Sequence, residues 1–177
     1  PPPARSSSGN LRRRSELGIT ARARVWAEVL AEAGAVVAPD PVRGIPLDEA
    51  GRVQAWVFGP GAGTDDAAAG ELRWILGQEV PVLIDADGLT LLTEHPDLLE
   101  LAAQRQHATV LTPHDGEFAR LQKAAGVATG TRFEETLALA ATLRATIVRK
   151  GRITLIAPED EPHLIHAVDA GHSWAAT

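Results

Sequence analysis

Residues 109–121, TVLTPHDGEFARL, run from a buried strand directly into a helix. The turn between them carries His114, Asp115 and Glu117, with Gly116 among them. Polar chemistry at the carboxyl end of a strand has two readings: it caps the helix, or it lines a ligand crevice. The surrounding pattern has to decide between them.

The same unit recurs on both sides of this stretch. VQAWVF (53–58) is an apolar strand ending in GPGAGTDD, and AAAGELRWIL (67–76) follows as a helix. VPVLID (80–85) is a second strand, ending in Asp85 before ADGLTLL, and residues 97–106 have helical spacing. After TVLTP come the helix GEFARLQKAA (116–125) and a further helix over 132–144. ATIVRK (145–150) and ITLIAP (153–158) form two more strands, paired through the Lys150-Gly151-Arg152 turn. Upstream, TARARVWAEVLAEA (20–33) is helical with Thr20 as a possible N-cap, and AVVAP follows as a short strand. Apolar strands alternating with helices predict an α/β fold, a mainly parallel sheet with helices on both faces. Such sheets bind ligands beyond the carboxyl ends of their strands. Four strands here end in GPGAG, DADG, TPHDGE and RKG, so a site at that edge is expected.

Bulk properties narrow the class. A chain of 177 residues with 45% hydrophobic and 23% charged residues is long enough for one domain with a real core. No apolar run is long enough to cross a bilayer, and the Pro- and Ser-rich start has no signal-peptide pattern. With no cysteine, a disulfide framework, a thiolate zinc site and a Cys nucleophile are excluded, which fits a cytoplasmic location. With no Met even at position 1, the sequence is expected to be a fragment or a processed product. Residues 1–25 hold six Arg and one Glu, about +5; against a whole-chain charge of −6, the remainder carries about −11. That acidic remainder repels phosphates, so residues 1–19 are taken as a solvated basic tail rather than a nucleic-acid arm.

Each turn has a bland and a functional reading. The glycines 59, 61 and 63 either make a tight strand-to-helix turn or let backbone and a helix N-terminus approach an anion. Asp85 and Asp87 either cap the next helix or orient a hydroxyl or a hydrated Mg2+. Glu117 suits the helix dipole, whereas His114 is less easily explained by structure and is a candidate ligand contact. Lys150, one of only two lysines against fifteen arginines, offers a compact charge suited to phosphate oxygens. His95, His107, His163 and His166 have no metal-ligand spacing, and no metal set is assigned.

Taken together, WVFGPGAGTDD, VPVLIDADGLTLL, TVLTPHDGEFARL, ATIVRKGRITLIA and AGHSWAAT resemble the ADP- or ATP-dependent NAD(P)H-hydrate dehydratases, over roughly residues 50–177. The resemblance implies a ribokinase-like three-layer α/β/α fold over residues 20–177. It implies repair of hydrated NADH or NADPH by nucleotide-driven loss of water, with ADP or ATP and Mg2+. Gly61, Gly63 and His114 would line the hydrated-nicotinamide site. Lys150, Gly151, Arg152, Ile153 and Thr154 would contact the nucleotide, with Asp85 and Glu117 in support. A homo-oligomer, a tetramer among the options, and an NAD(P)HX epimerase partner are further implications.

The sequence departs from the family pattern in several places. The Gly-Ser-Gly-Asp turn, whose Asp is the expected catalytic base, would lie beyond Thr177, and residues 1–35 do not look like the family's first glycine-rich unit. Asp115 stands where Pro is commoner, and Asp169 where Asn is usual. A thiazole or pyrimidine kinase of the ribokinase superfamily is the runner-up, and an inactive assembly subunit the third reading.

Overall fold

The computed structural model describes residues 53–161 and 163–169. The helix expected over 20–33, the strand AVVAP, the basic tail and the AGHSWAAT segment beyond Asp169 lie outside the described residues.

The described elements are β1 (Trp56–Phe58), α1 (Asp66–Leu76), β2 (Val82–Ile84), α2 (Asp87–Glu94), α3 (Pro96–Ala103), β3 (Thr109–Leu111), α4 (Asp115–Ala124), α5 (Arg132–Leu143), β4 (Thr146–Arg149), β5 (Ile153–Ala157) and β6 (His166–Asp169). Local chemistry sets the helix starts. Asp65 caps α1 by accepting from the Ala68 N–H, and Thr131 caps α5 in a reciprocal box with Glu134. Arg144 ends α5 in the left-handed region.

The six strands lie side by side in chain order. β1 to β4 are parallel, and β5 and β6 add antiparallel. Trp56 pairs with Val82 and Val82 with Thr109, so the first three strands are in step and end together. Alternation then decides the faces. Trp56, Phe58, Val82, Ile84, Leu111, Ile147, Leu155 and Ala157 are buried, while Val57, Leu83, Val110 and Val148 opposite them are only half-buried. Right-handed crossovers between neighbours taken in one direction put the helices on one face. Accordingly the five described helices pack on one another in a chain: α1 on α3, α3 on α2 and α5, α2 on α4. The described residues thus supply the sheet and one helical layer; the second layer expected on the other face is not among them.

Three expectations are corrected. The strands are shorter than their apolar runs: β1 begins only at Trp56, β2 and β4 lose residues at both ends, and β3 stops at Leu111, where the chain leaves the ladder for its turn. The helix expected over 97–106 stops at Ala103. β6 was not anticipated: its residues His166–Asp169 are all exposed and give no apolar period.

Arg105 explains the early stop of α3. Its side chain is buried and turns under the amino-terminal edge of the sheet. Nε donates to Thr109 Oγ1 at 3.1 Å, and the two terminal nitrogens donate to the carbonyls of Leu76, Gln78 and Val80. Burial depresses its pKa, and no carboxylate answers the charge in this set. The planar fork is what allows one side chain to serve so many carbonyls. Arg105→Met keeps the stem but orphans these acceptors, at a cost of roughly 2–4 kcal/mol. Urea unfolding checks this; a loss below about 1 kcal/mol, the net worth of one ordinary hydrogen bond, would remove Arg105 from this role.

Candidate functional site at the carboxyl edge of the sheet

The in-step strands deliver their turns to one place. The chain leaves β1 at Gly59, whose φ is 134°. A Cβ there would lie 1.7 Å from the Asp85 carbonyl oxygen, so only glycine lets the β1 turn press against the end of β2. The Gly63 N–H then donates to Asp87 Oδ2 at 3.0 Å. The glycine turn and the DADG turn are one assembly.

The DADG turn itself is strained. Ala86 has φ 46° and ψ −117°, the first central position of a type II′ turn, and the Gly88 N–H closes that turn on the Asp85 carbonyl at 3.0 Å. Asp87 does not cap α2 as a side chain; it opens the helix at its first position and spends Oδ2 on Gly63. Asp85 is left pointing elsewhere. Its Oδ1 accepts from Lys150 Nζ at 2.7 Å, both side chains being about 30% exposed or less.

Lys150 also joins the third turn. Its backbone N–H donates to the Pro113 carbonyl at 2.8 Å, and His114 and Lys150 form a single parallel bridge just past the β3–β4 ladder. The expected residues Asp85, His114 and Lys150 are therefore brought together. Gly61 and Gly63 sit in the adjoining turn. Gly151 to Thr154 continue from Lys150 into β5, where the Thr154 hydroxyl lies 3.4 Å from the Gly151 carbonyl. Asp169 pairs with Ile153 across β5 and β6, so it too borders this turn.

His114 is more than a candidate ligand contact. Its Nδ1 accepts from the Gly116 and Glu117 N–H groups at 2.9 and 3.3 Å, and Glu117 Oε2 accepts from the His114 N–H at 2.8 Å, a reciprocal cap on α4. The capping reading is the one these contacts carry. Two backbone donors on Nδ1 put the proton of the neutral ring on Nε2. The side chain is 47% exposed, and its Nε2 lies 3.4 Å from Glu117 Oε1.

Several groups here had not been singled out. Thr112 Oγ1 is sequestered without a hydrogen-bond partner. Asp115 is no neutral occupant of a turn. Its Oδ1 accepts from Arg149 Nε at 2.7 Å and from Arg132 Nε at 3.3 Å. Arg149 is buried, lies 3.8 Å over the Phe118 ring, and also donates to Glu135 Oε2 at 3.0 Å. A buried guanidinium requires such partners. Partial burial alone would raise the Asp115 pKa; the Arg149 hydrogen bond and the two guanidinium charges outweigh it and hold the carboxyl below its ordinary 3.8. Glu135 is likewise held low, first by the Gly130 N–H and then by Arg149. The signal was present as charges on 115, 132, 135 and 149, but their meeting is tertiary. Among the described residues no cluster of three or more His, Asp or Glu side chains could hold a metal ion, and His95, His107, His163 and His166 form none.

Comparison with known proteins gives the family. The family model described as NAD(P)H-hydrate dehydratase matches residues 17–177. The bifunctional NAD(P)H-hydrate repair enzyme Nnr of Mycobacterium tuberculosis is 50% identical over 153 residues, covering 85% of this chain and 29% of that protein. The ADP-dependent (S)-NAD(P)H-hydrate dehydratase of Neisseria meningitidis is 35% identical over 128 residues, covering 71% and 42%. This chain thus spans well under half the length of either relative. Among solved structures, the ADP/ATP-dependent NAD(P)H-hydrate dehydratase of Bacillus subtilis, co-crystallised with ATP and Mg2+ and soaked with CoA, aligns at TM-score 0.50 and 28% identity, covering 68% of this chain and 41% of that one.

Two outcomes follow from the geometry. His114→Ala removes the α4 cap and costs about 1 kcal/mol, whereas His114→Asn, a good cap, holds stability within roughly 0.5 kcal/mol. Denaturant titration of both variants separates them, and equal losses would deny His114 the capping role. Asp115 and Glu135 have folded pKa values below their unfolded ones, so their contribution is present above about pH 4 and fades as pH falls through and below that range. Asp115→Asn should therefore be less stable than the parent near neutrality, with the gap closing on acidification. A gap independent of pH would show that the Asp115 charge is irrelevant. The Asp115 side chain is 60% exposed, so solvent screens part of this effect.

Proposed function

The chain belongs to the NAD(P)H-hydrate dehydratase family, and from that premise we propose that it repairs hydrated NADH or NADPH by nucleotide-driven loss of water, as a lyase using ADP or ATP with Mg2+. The observation that supports this most directly is Lys150: its ammonium stands 2.7 Å from Asp85, and its backbone forms a β-bridge with His114. A compact cation held by one carboxylate is suited to anionic oxygens, because a phosphate can share or take over its protons.

The residues divide into two walls. Lys150, Gly151, Arg152, Ile153 and Thr154 form the nucleotide wall, with Asp85 aiming Lys150. Gly61, Gly63 and His114 form the hydrated-nicotinamide wall, where His114 Nε2–H donates to a carboxamide or hydroxyl oxygen of the ring system and Glu117 fixes His114 from below. The nucleotide supplies a phosphoryl group that turns a poor leaving hydroxyl into a good one. Residues 53–169 bind, orient and neutralise charge. The base that accepts the hydroxyl proton is assigned to the family's Gly-Ser-Gly-Asp turn. No clustered acidic set is at hand among the described residues, so Mg2+ is proposed to enter with the nucleotide phosphates. Residues 20–177 are proposed as the dehydratase domain and 1–19 as a basic tail. A cytoplasmic homo-oligomer that acts beside an NAD(P)HX epimerase completes the proposal; none of the described helices is long and apolar enough to cross a membrane.

The test is the regain of NADH absorbance from hydrated NADH by the full-length protein, with ADP or ATP and Mg2+. Regain is the expected result; phosphorylation of a hydroxymethylpyrimidine without regain would move the protein to the kinase reading. Within the active protein, Lys150→Met should weaken nucleotide binding tenfold or more, the loss of one charge-assisted hydrogen bond at about 1.5–3 kcal/mol. His114→Asn should instead weaken hydrated-dinucleotide binding and spare the nucleotide. Both variants affecting the same ligand would contradict the two-wall division.

A further inference from the structure

We propose that Arg132, on the first turn of α5, is a positioning residue: its guanidinium staples the Lys150–Ile153 turn and ties it to the His114 turn. This rests on the reading of that turn as the nucleotide wall.

The contacts come from three directions. Nη2 donates to the Lys150 carbonyl at 3.2 Å and Nη1 to the Ile153 carbonyl, so one fork spans both ends of the four-residue turn. Nε faces Asp115 Oδ1 at 3.3 Å, at the start of α4 directly after His114. Asp115 in turn holds Arg149, the residue before Lys150. The Arg132 carbonyl lies 3.4 Å from Arg149 Nη1, which closes the loop. Gly151 completes the fit: a Cβ there would lie 2.6 Å from Arg132 Nη2. The turn needs such a clamp. Residues 150–152 lie between two strands, and the backbone ladder between β4 and β5 reaches only Arg149 and Leu155. Without the fork, the Lys150 and Ile153 carbonyls lack a partner that constrains them together. Asp115 sits where the family more often has Pro. A carboxylate at that position gives the staple its anchor and makes the two walls mechanically one.

Two variants of the full-length protein test this. Arg132→Met keeps the stem and removes the fork. Gly151→Ala keeps Arg132 and displaces its tip. Hydrogen exchange over residues 150–154 should quicken roughly tenfold in both, the loss of about 1.4 kcal/mol of local protection. Exchange in β3 and α2 should stay as in the parent. Affinity for ADP and ATP should fall by a similar factor, while affinity for hydrated NADH changes less than twofold. Arg132→Lys should recover only part of the effect, since an ammonium cannot span two carbonyls and Asp115 at once. Unchanged turn exchange in both variants overturns the staple. Quickened exchange across the whole sheet also overturns it, because Arg132 would then serve general stability. Faster turn exchange with unaltered nucleotide affinity, in a parent that binds nucleotide, overturns the positioning role. A parent that binds neither ADP nor ATP defeats the functional reading instead, and the exchange result still decides the staple.

Discussion

The site depends on one doubly tied residue. Lys150 is the first residue past β4, and its backbone N–H is held by the Pro113 carbonyl while its ammonium is held by Asp85. A single residue therefore gathers the ends of β2, β3 and β4. The backbone bond fixes where the stem starts, and the ion pair fixes where the charge ends. An exposed lysine would sample many rotamers at an entropic cost on binding. A half-buried lysine with both ends secured presents its charge already in place.

That arrangement is possible only because the neighbouring turns accept unfavourable backbone geometry. Asp85 can point toward Lys150 because Ala86, with φ 46°, reverses the chain immediately after it. A non-glycine residue in this region costs on the order of 1–3 kcal/mol and persists only where the surroundings over-determine it. Here they do: the Gly88 N–H closes the turn, Asp87 is held by Gly63, and Gly59 presses on the Asp85 carbonyl. The in-step ends of β1, β2 and β3 hold all three turns to the same level.

Much of this was legible in the sequence because it is local. Apolar strands, glycine turns and helix caps are encoded within a few residues, and the four turns lay where the strand ends predicted. What escaped is non-local or double-purposed. The pairing of Arg149 with Asp115 spans 34 residues and that of Lys150 with Asp85 spans 65, and no periodicity reports either. β6 joins the sheet through its ladder with β5, and its exposed residues leave no apolar trace. His114 looked like a ligand contact because histidine is an uncommon cap; in the structure Nδ1 takes the place of an Asn or Asp oxygen and Nε2 lies 3.4 Å from Glu117 Oε1. The helix expected to reach residue 106 ends at Ala103, and Arg105 beyond it has its charge bound inside by carbonyls that no local pattern reports.

The choice between arginine and lysine follows from these contacts. With fifteen arginines and two lysines, composition alone would make any cation here an arginine. Arg105, Arg132 and Arg149 each engage several acceptors at once, which needs a rigid planar fork. A guanidinium at position 150 would form a second fork against Asp85, and a bidentate pair releases its carboxylate reluctantly. Among the described residues Lys150 Nζ makes one short side-chain contact, to Asp85, and an ammonium can swing its other N–H donors toward an incoming oxygen. The ion pair with Asp85 is thus firm enough to aim the charge and loose enough to be shared. Among the described residues Arg105, Arg132 and Arg149 each fork across several acceptors, whereas Lys150 is compact and makes its side-chain contact with Asp85.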